Sequence, residues 1–227
     1  MCGITGYINE ESVEQKKDTL QKMMDRIVHR GPSSAGMYVD EYAALGFRRL
    51  SIIDLEGGDQ PIYNETNDLI ITFNGEIYNY RALRQMLTEK GHIFKTNSDT
   101  ETILHGYEEF GKEVLHYLRG MFAFVIWDKK KKLLFGARDH FGIKPLYYAY
   151  MNHTFLYASE IKSLLENPAF EKILNKDALR PYLTYQYSAL DETFFKGVFK
   201  LPEGHYFCYE NNALKITKYF KKEKSFK

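Results

Sequence analysis

Cys2 stands directly behind the initiator methionine in MCGITGYIN, and it is one of two cysteines among 227 residues. A thiol is a strong nucleophile once ionised. Removal of Met1 leaves Cys2 with a free α-amine, whose intrinsic pKa of about 7.7–8.0 lies close to working pH. One residue then carries both a nucleophile and a base, the logic of N-terminal nucleophile catalysis. Gly3 and Gly6 follow at once, so a ligand or another backbone can approach closely. Taken alone, a cysteine at position 2 is more readily explained as chance.

Three further features complement it. In FNGEIYNYRALR (73–84), Asn74 and Gly75 close a strand and offer a side-chain amide beside a glycine N–H. Two such donors are what a tetrahedral oxyanion requires, although Asn-Gly is also an ordinary turn. Arg49, in GFRRLSIIDL, can grip a carboxylate with two parallel hydrogen bonds or simply sit at the surface. Asp99 opens a predicted helix, where it can hold an ammonium group or serve the helix dipole. Together they describe a pocket for a zwitterionic amino acid whose side-chain amide is attacked. Glutamine has that chemistry.

The elements that position these groups come in blocks. Residues 4–8 begin a strand rich in β-branched and aromatic side chains. Leu20, Met23, Met24, Ile27 and Val28 recur at helical spacing, and Gly31-Pro32 stops that helix. Strands are expected at 42–47 and 69–73, and a helix over 80–90 with Leu83, Met86 and Leu87 inward and Gly91 as its stop. Ser98 with Glu101 forms a capping-box pattern ahead of an apolar face of Ile103, Leu104, Tyr107 and Phe110. Strands at 122–128, 132–137, 146–150 and 154–158 follow. A short helix at 159–165 is capped by Ser159, and another covers 176–185 before a β-like stretch ending near Tyr219. Blocks of strands and helices argue for antiparallel sheets layered with helices, an α+β fold, and against a doubly wound parallel sheet.

Composition sets the outer bounds. Hydrophobic residues make up 44% and aromatics 15%, which gives a globular chain with ample material for a core. A net charge of +1 gives no electrostatic case for nucleic acid or an anionic membrane. The longest apolar run, MFAFVIW at 121–127, is far short of the roughly 20 residues a bilayer needs. The N-terminal run meets Glu10 and Glu11 without a basic flank, so no export signal is read and a cytoplasmic protein is expected. Two cysteines are too few for a disulfide framework or a four-cysteine zinc site. Cys208, in the apolar HYFCY, reads as a buried inert thiol. The seven histidines are scattered without metal-ligand spacing and read as surface or structural side chains. There is no phosphate loop, GxGxxG or HExxH motif.

The motifs in order, MCGITGY, HRGP, GFRRLSIIDL with Gln60-Pro61, FNGEIYNYRALR, SDTE, RGMFAFVIWD, ARDHFGIKPLYY and ASEIKSLL, span nearly the whole chain. By them the sequence resembles the glutaminase domain of class II glutamine amidotransferases, and within that class the asparagine synthetases. The resemblance implies a four-layer αββα sandwich of two mainly antiparallel sheets, the N-terminal nucleophile hydrolase fold. It implies Cys2 as the nucleophile that forms a γ-glutamyl thioester, with its own α-amine as base, and Asn74 and Gly75 as the oxyanion hole. Arg49 would bind the glutamine α-carboxylate, Glu76 and Asp99 its α-amine, and main-chain groups around Ile52 and Ile53 would complete the pocket. ARDHFGIKPLYY would have structural or interdomain duty.

Residues 1–220 would form the glutaminase domain and 221–227 a tail or the start of a linker to an absent synthetase domain. That domain would bind ATP and Mg²⁺ and activate aspartate; no cofactor or metal is expected in this chain. Dimers are common in the resembling family, which makes a homodimer an expectation. Ser33-Ser34 departs from the family, whose members often carry Asp after HRGP. Two alternatives stand beside this reading: a related amidotransferase with a different acceptor, and a degenerate, non-catalytic domain.

Overall fold

Every position of GMFAFVIWD is apolar up to its final Asp128, so this strand must be covered on both faces. Alternation sorts the side chains. Phe122, Phe124 and Ile126 join one core cluster, and Ala123, Val125 and Trp127 another. That double burial makes a layered molecule.

The computed structural model describes residues 1–50, 58–187 and 190–221. In chain order the elements are β1 (Gly3–Ile8), α1 (Val13–Asp25), β2 (Ser34–Val39), β3 (Ala43–Arg49), β4 (Ile62–Tyr63) and β5 (Leu69–Ile77). Next come α2 (Tyr80–Glu89), α3 (Asp99–Phe110), α4 (Val114–Tyr117), β6 (Gly120–Asp128), β7 (Leu133–Arg138), β8 (Tyr147–Met151) and β9 (Thr154–Ala158). The last are α5 (Ile161–Leu164), α6 (Lys176–Tyr185), β10 (Val198–Lys200), β11 (His205–Glu210) and β12 (Ala213–Lys218). One six-stranded sheet has the order β10-β8-β9-β1-β3-β2 and the other β12-β11-β7-β6-β5-β4, with antiparallel pairing in both.

Three apolar clusters make four layers. Ile4, Leu45 and Phe47 of the first sheet meet Ile70, Val125 and Trp127 of the second. The outer face of the first sheet, with Tyr7 and Leu156, packs on Leu20, Met23 and Met24 of α1. The outer face of the second, with Phe73 and Phe124, packs on Ile103, Leu104 and Tyr107 of α3. Each fully buried large apolar side chain contributes about 1.5–3 kcal/mol. This is the expected αββα sandwich.

Local details depart from expectation in five places. The strand that holds Asn74-Gly75 does not end there. It runs to Ile77, because β6 offers partners throughout: Asn74 faces Ala123 and Gly75 faces Phe122. The first helix ends at Asp25 rather than at Gly31, and a separate 3-10 turn covers Val28–Arg30. Ser98 does cap α3, accepting from Thr100 N, but Glu101 does not answer it. Its carboxylate takes the N–H groups of Lys95 and Thr96 instead, each at 2.7 Å. Ser159 does not cap α5; its hydroxyl accepts from Ile4 N at 3.0 Å and ties β9 to β1. Cys208 is partly exposed on β11 rather than buried.

Candidate active site

Cys2 lies immediately ahead of β1, in the middle of the first sheet. Antiparallel register pairs Gly3 with Arg48, so the start of β1 lies beside the end of β3, which carries Arg49 with Leu50 just beyond it. The Cys2 sulfur accepts from Leu50 N at 3.4 Å and reaches Leu50 O at 3.7 Å. The HRGP motif supplies a clamp: Arg30 Nε donates to the Cys2 carbonyl at 2.9 Å, and its guanidinium pairs with Glu160 at 2.9 Å. Burial alone would push the Glu160 carboxyl up. Hydrogen bonds from Arg30, His29 and Lys162 outweigh it and hold the group at about 2.

The second sheet brings the donors. Alternation along β5 turns Ile71 and Phe73 toward α3, so Asn74 and Glu76 face the opposite way, toward the first sheet. Asn74 is 1% exposed, and among the described residues its Nδ2 has no hydrogen-bond partner. Beyond the short β4, the outer edge of β5 is open. There Gln60 Oε1 takes Phe73 N at 2.6 Å and Asp99 Oδ2 takes Ile77 N at 2.8 Å. Alternation places the Gly75 N–H on the same edge, between them.

A Cβ on Gly75 would lie 2.2 Å from Met121 O, on the paired backbone of β6. That backbone cannot yield without breaking the ladder. Gly75→Ala is therefore expected to destabilise the fold by about 1–3 kcal/mol, measured as a lowered thermal midpoint.

These groups converge on a cavity of about 110 Å³ lined by Cys2, Arg49, Asn74, Gly75, Glu76 and Asp99. The structure thus brings together six of the eight site residues expected from sequence. Ile52 and Ile53 lie outside the described residues. Arg49 is buried and pairs with Asp59 at 3.0 Å, and Asp59 also accepts from Ser34 Oγ at 2.7 Å. Ser34, the second of the two serines after HRGP, thereby supports Arg49 through Asp59. Asp99 is 6% exposed, and burial raises its carboxyl to about 6 despite the Ile77 hydrogen bond, with Glu76 adding to the rise.

Sequence reasoning missed Lys144. Asp139 organises the ARDHFGIK loop by accepting from the N–H groups of Phe122, Phe141, Ile143 and Lys144. The structural duty expected of this segment is therefore seen, but the loop also delivers Lys144 into the cavity wall. Lys144 Nζ lies 3.3 Å from Met1 Sδ, and burial together with the nearby Arg30 lowers its pKa, against the opposing pull of Cys2. Gln60 was visible only as part of a motif. Its role is to hold the backbone of Phe73, one residue before Asn74.

A larger groove of about 780 Å³ opens at the far end of β1, near Glu10, Trp127 and Tyr209. Among the described residues its lining holds no cysteine and no unpartnered buried donor, whereas the smaller cavity holds both. No helix among the described residues is long and apolar enough to cross a membrane.

Comparison with known proteins agrees with this geometry. The chain is 44% identical over 225 residues to asparagine synthetase [glutamine-hydrolyzing] 1 of Bacillus subtilis, covering 97% of this chain and 35% of that protein. It is 44% identical over 169 residues to asparagine synthetase B [glutamine-hydrolyzing] of Escherichia coli, covering 73% of this chain and 30% of that protein. The chain thus spans about a third of the length of these relatives. Among solved structures, the allosteric regulatory enzyme of purine biosynthesis superposes with a TM-score of 0.69 at 20% identity, over 97% of this chain and 50% of that one. The glutamine phosphoribosylpyrophosphate amidotransferase of B. subtilis gives 0.66 at 19%, over 97% and 50%. At those identities the likeness establishes a shared fold. The glutamine amidotransferase domain family matches residues 1–220, and the chain, with a cysteine, a buried side-chain amide, a glycine and an arginine in one cleft, belongs to that family.

Proposed function

We propose that this chain hydrolyses glutamine to glutamate and ammonia, and that the ammonia serves the conversion of aspartate to asparagine in a larger enzyme. One observation carries the first half: a buried amide donor, Asn74 Nδ2, stands without a partner among the described residues in the cavity that holds Cys2. A buried donor without a partner costs about 1–3 kcal/mol, and an oxyanion that forms only during reaction accounts for its retention. The names of the relatives support the second half, as glutamine-hydrolysing asparagine synthetases. ATP and Mg²⁺ would act in a synthetase domain, outside these residues.

The chemistry follows from the groups present. The Cys2 thiolate attacks the side-chain carbonyl carbon of glutamine, and the electron pair of the C=O bond moves to oxygen. Asn74 Nδ2 and the Gly75 N–H take that oxyanion. On collapse the C–N bond breaks, and a proton from the Cys2 α-ammonium goes to the leaving nitrogen, releasing ammonia. Water, deprotonated by the same amine, attacks the thioester; glutamate leaves and the thiol is restored. With Met1 attached the Cys2 nitrogen is a peptide amide and cannot serve as base, so removal of Met1 is required. That removal also takes the Met1 thioether away from Lys144. Arg49 binds the α-carboxylate, and Asp99 with Glu76 the α-ammonium.

The direct test is to incubate the processed chain with glutamine and assay glutamate. Absence of turnover by protein whose mass shows loss of the initiator methionine would overturn the proposal.

Asp99 adds a pH signature. Its carboxyl titrates near 6, and only the ionised form attracts an ammonium. Glutamine binding to an inactive Cys2→Ala chain should weaken as pH falls through about 6, approaching tenfold per pH unit. Asp99→Asn should bind weakly at every pH. A dissociation constant flat from pH 7 to 5 in the Asp99 chain would remove Asp99 from the ammonium site.

A further inference from the structure

Far from the cavity, at the outer end of α3, four side chains from three segments point at one spot. Glu65 comes from the turn between β4 and β5, and His92 from the link between α2 and α3. His105 and Glu108 lie one turn apart on α3. One potential ligand atom from each falls within 4.8 Å of all the others. His105 is 1% exposed, and among the described residues neither ring nitrogen has a hydrogen-bond partner. Glu65 Oε2 is likewise buried and unpartnered.

The spacing argues for an ion between these groups. His105 Nδ1 is 3.3 Å from Glu65 Oε2 and 3.6 Å from Glu108 Oε2. His92 Nδ1 is 3.8 Å from Glu108 Oε2, and its 3.6 Å approach to Glu65 is to that carboxylate's other oxygen, Oε1. A direct imidazolium–carboxylate hydrogen bond closes to about 2.7–2.9 Å. Ligands about 2.0–2.1 Å from a tetrahedral centre stand about 3.3–3.4 Å apart, close to the spacing found.

The surroundings have the form of a metal site's outer shell. The other nitrogen of each histidine faces a further carboxylate: His105 Nε2 is 3.7 Å from Glu101 and His92 Nε2 is 3.5 Å from Glu109. The second oxygens of both carboxylate ligands are held as well. Glu65 Oε1 accepts from Ile93 N at 2.9 Å, and Glu108 Oε1 from Asn64 Nδ2 at 2.9 Å.

We propose that Glu65, His92, His105 and Glu108 bind one divalent transition-metal ion of the zinc type. Two imidazoles and two carboxylates suit a tetrahedral ion of intermediate softness, whereas Mg²⁺ and Ca²⁺ prefer sites made of oxygen alone. The ion would be structural, with all four positions filled by protein. It would pin α3 to the β4–β5 turn and to the α2–α3 link. Asp99 begins the same helix six residues before His105, about 9 Å away along its axis. The clamp would therefore steady one wall of the cavity from its far side. Sequence spacing hides the site because only His105 and Glu108 are near neighbours in the chain.

The test titrates Co²⁺ and then Zn²⁺ alone into the full chain after EDTA treatment and dialysis. The expected result is one Co²⁺ per chain with the strong visible absorption of a tetrahedral centre, its displacement by one Zn²⁺, and a thermal midpoint raised by Zn²⁺. His105→Ala removes a buried side chain and risks misfolding, so His92→Ala and Glu108→Gln are the deciding variants. Each should weaken Co²⁺ binding by at least tenfold and abolish the Zn²⁺-dependent rise in midpoint. Glu109→Gln, which removes the carboxylate behind His92 together with its ion pair to Lys90, should weaken it by about tenfold. No stoichiometric Co²⁺ binding by the wild-type chain overturns the proposal, as does equal affinity in His92→Ala and Glu108→Gln.

Discussion

Cys2→Ala is expected to reduce glutamate release from glutamine by roughly 10⁴-fold or more, with the fold intact. The size follows from the chemistry: loss of a covalent nucleophile removes the whole reaction path, and only binding and oxyanion stabilisation remain. The intact fold follows from the contacts. Among the described residues the Cys2 sulfur has two long hydrogen-bond contacts, both with Leu50, while its carbonyl stays clamped by Arg30 whatever the side chain. A companion experiment separates the thiol from the amine. A chain carrying a short N-terminal extension before Cys2 keeps the thiol but turns the amine into an amide. It should be inactive until a protease cuts at Cys2, and then recover full turnover. Full activity in Cys2→Ala would remove the nucleophile from the mechanism. Full activity in the uncut extension would keep the nucleophile and remove the α-amine as base.

The layered fold was legible because its strands advertise both faces. MFAFVIW has no polar position, which fits only a strand between two cores, and it became β6. Cys2, Arg49, Asn74, Gly75, Glu76 and Asp99 were legible through motifs, and the structure gathers them in one cavity. What the sequence hid were relations set by register and by long loops. Asn-Gly has the local chemistry of a turn, yet nine residues of β6 pair with β5 and hold Asn74-Gly75 extended. Ser98 and Glu101 have the spacing of a capping box, yet the Lys95–Thr96 backbone competes successfully for the carboxylate. Lys144 lies 142 residues from Cys2 in the chain, and only the loop folded around Asp139 brings it near. His92 and His105 belong to different segments, and no local pattern links them to Glu65.

Asn74→Ala is expected to lower kcat by about 10²–10³ while leaving the KM for glutamine little changed. Among the described residues Asn74 Nδ2 is buried without a partner, which suits it to charge that appears on the substrate oxygen only in the tetrahedral state. A donor that acts there and not in the ground state alters kcat and spares KM. The same orphaned donor makes a second, opposite expectation about stability. Burial of an unpaired amide costs about 1–3 kcal/mol, so Asn74→Leu, similar in shape and without that donor, should melt no lower than the wild-type chain. Asn74→Asp should be the poorest catalyst of the three, because it places an acceptor against the developing oxyanion. Measuring kcat and thermal midpoint on the same preparations decides the matter. If kcat and midpoint fell together, Asn74 would be holding the strand rather than the oxyanion. If neither fell, the donor would lie elsewhere. A loss of turnover without a loss of stability is the signature of a group kept at the expense of the fold because the transition state needs it.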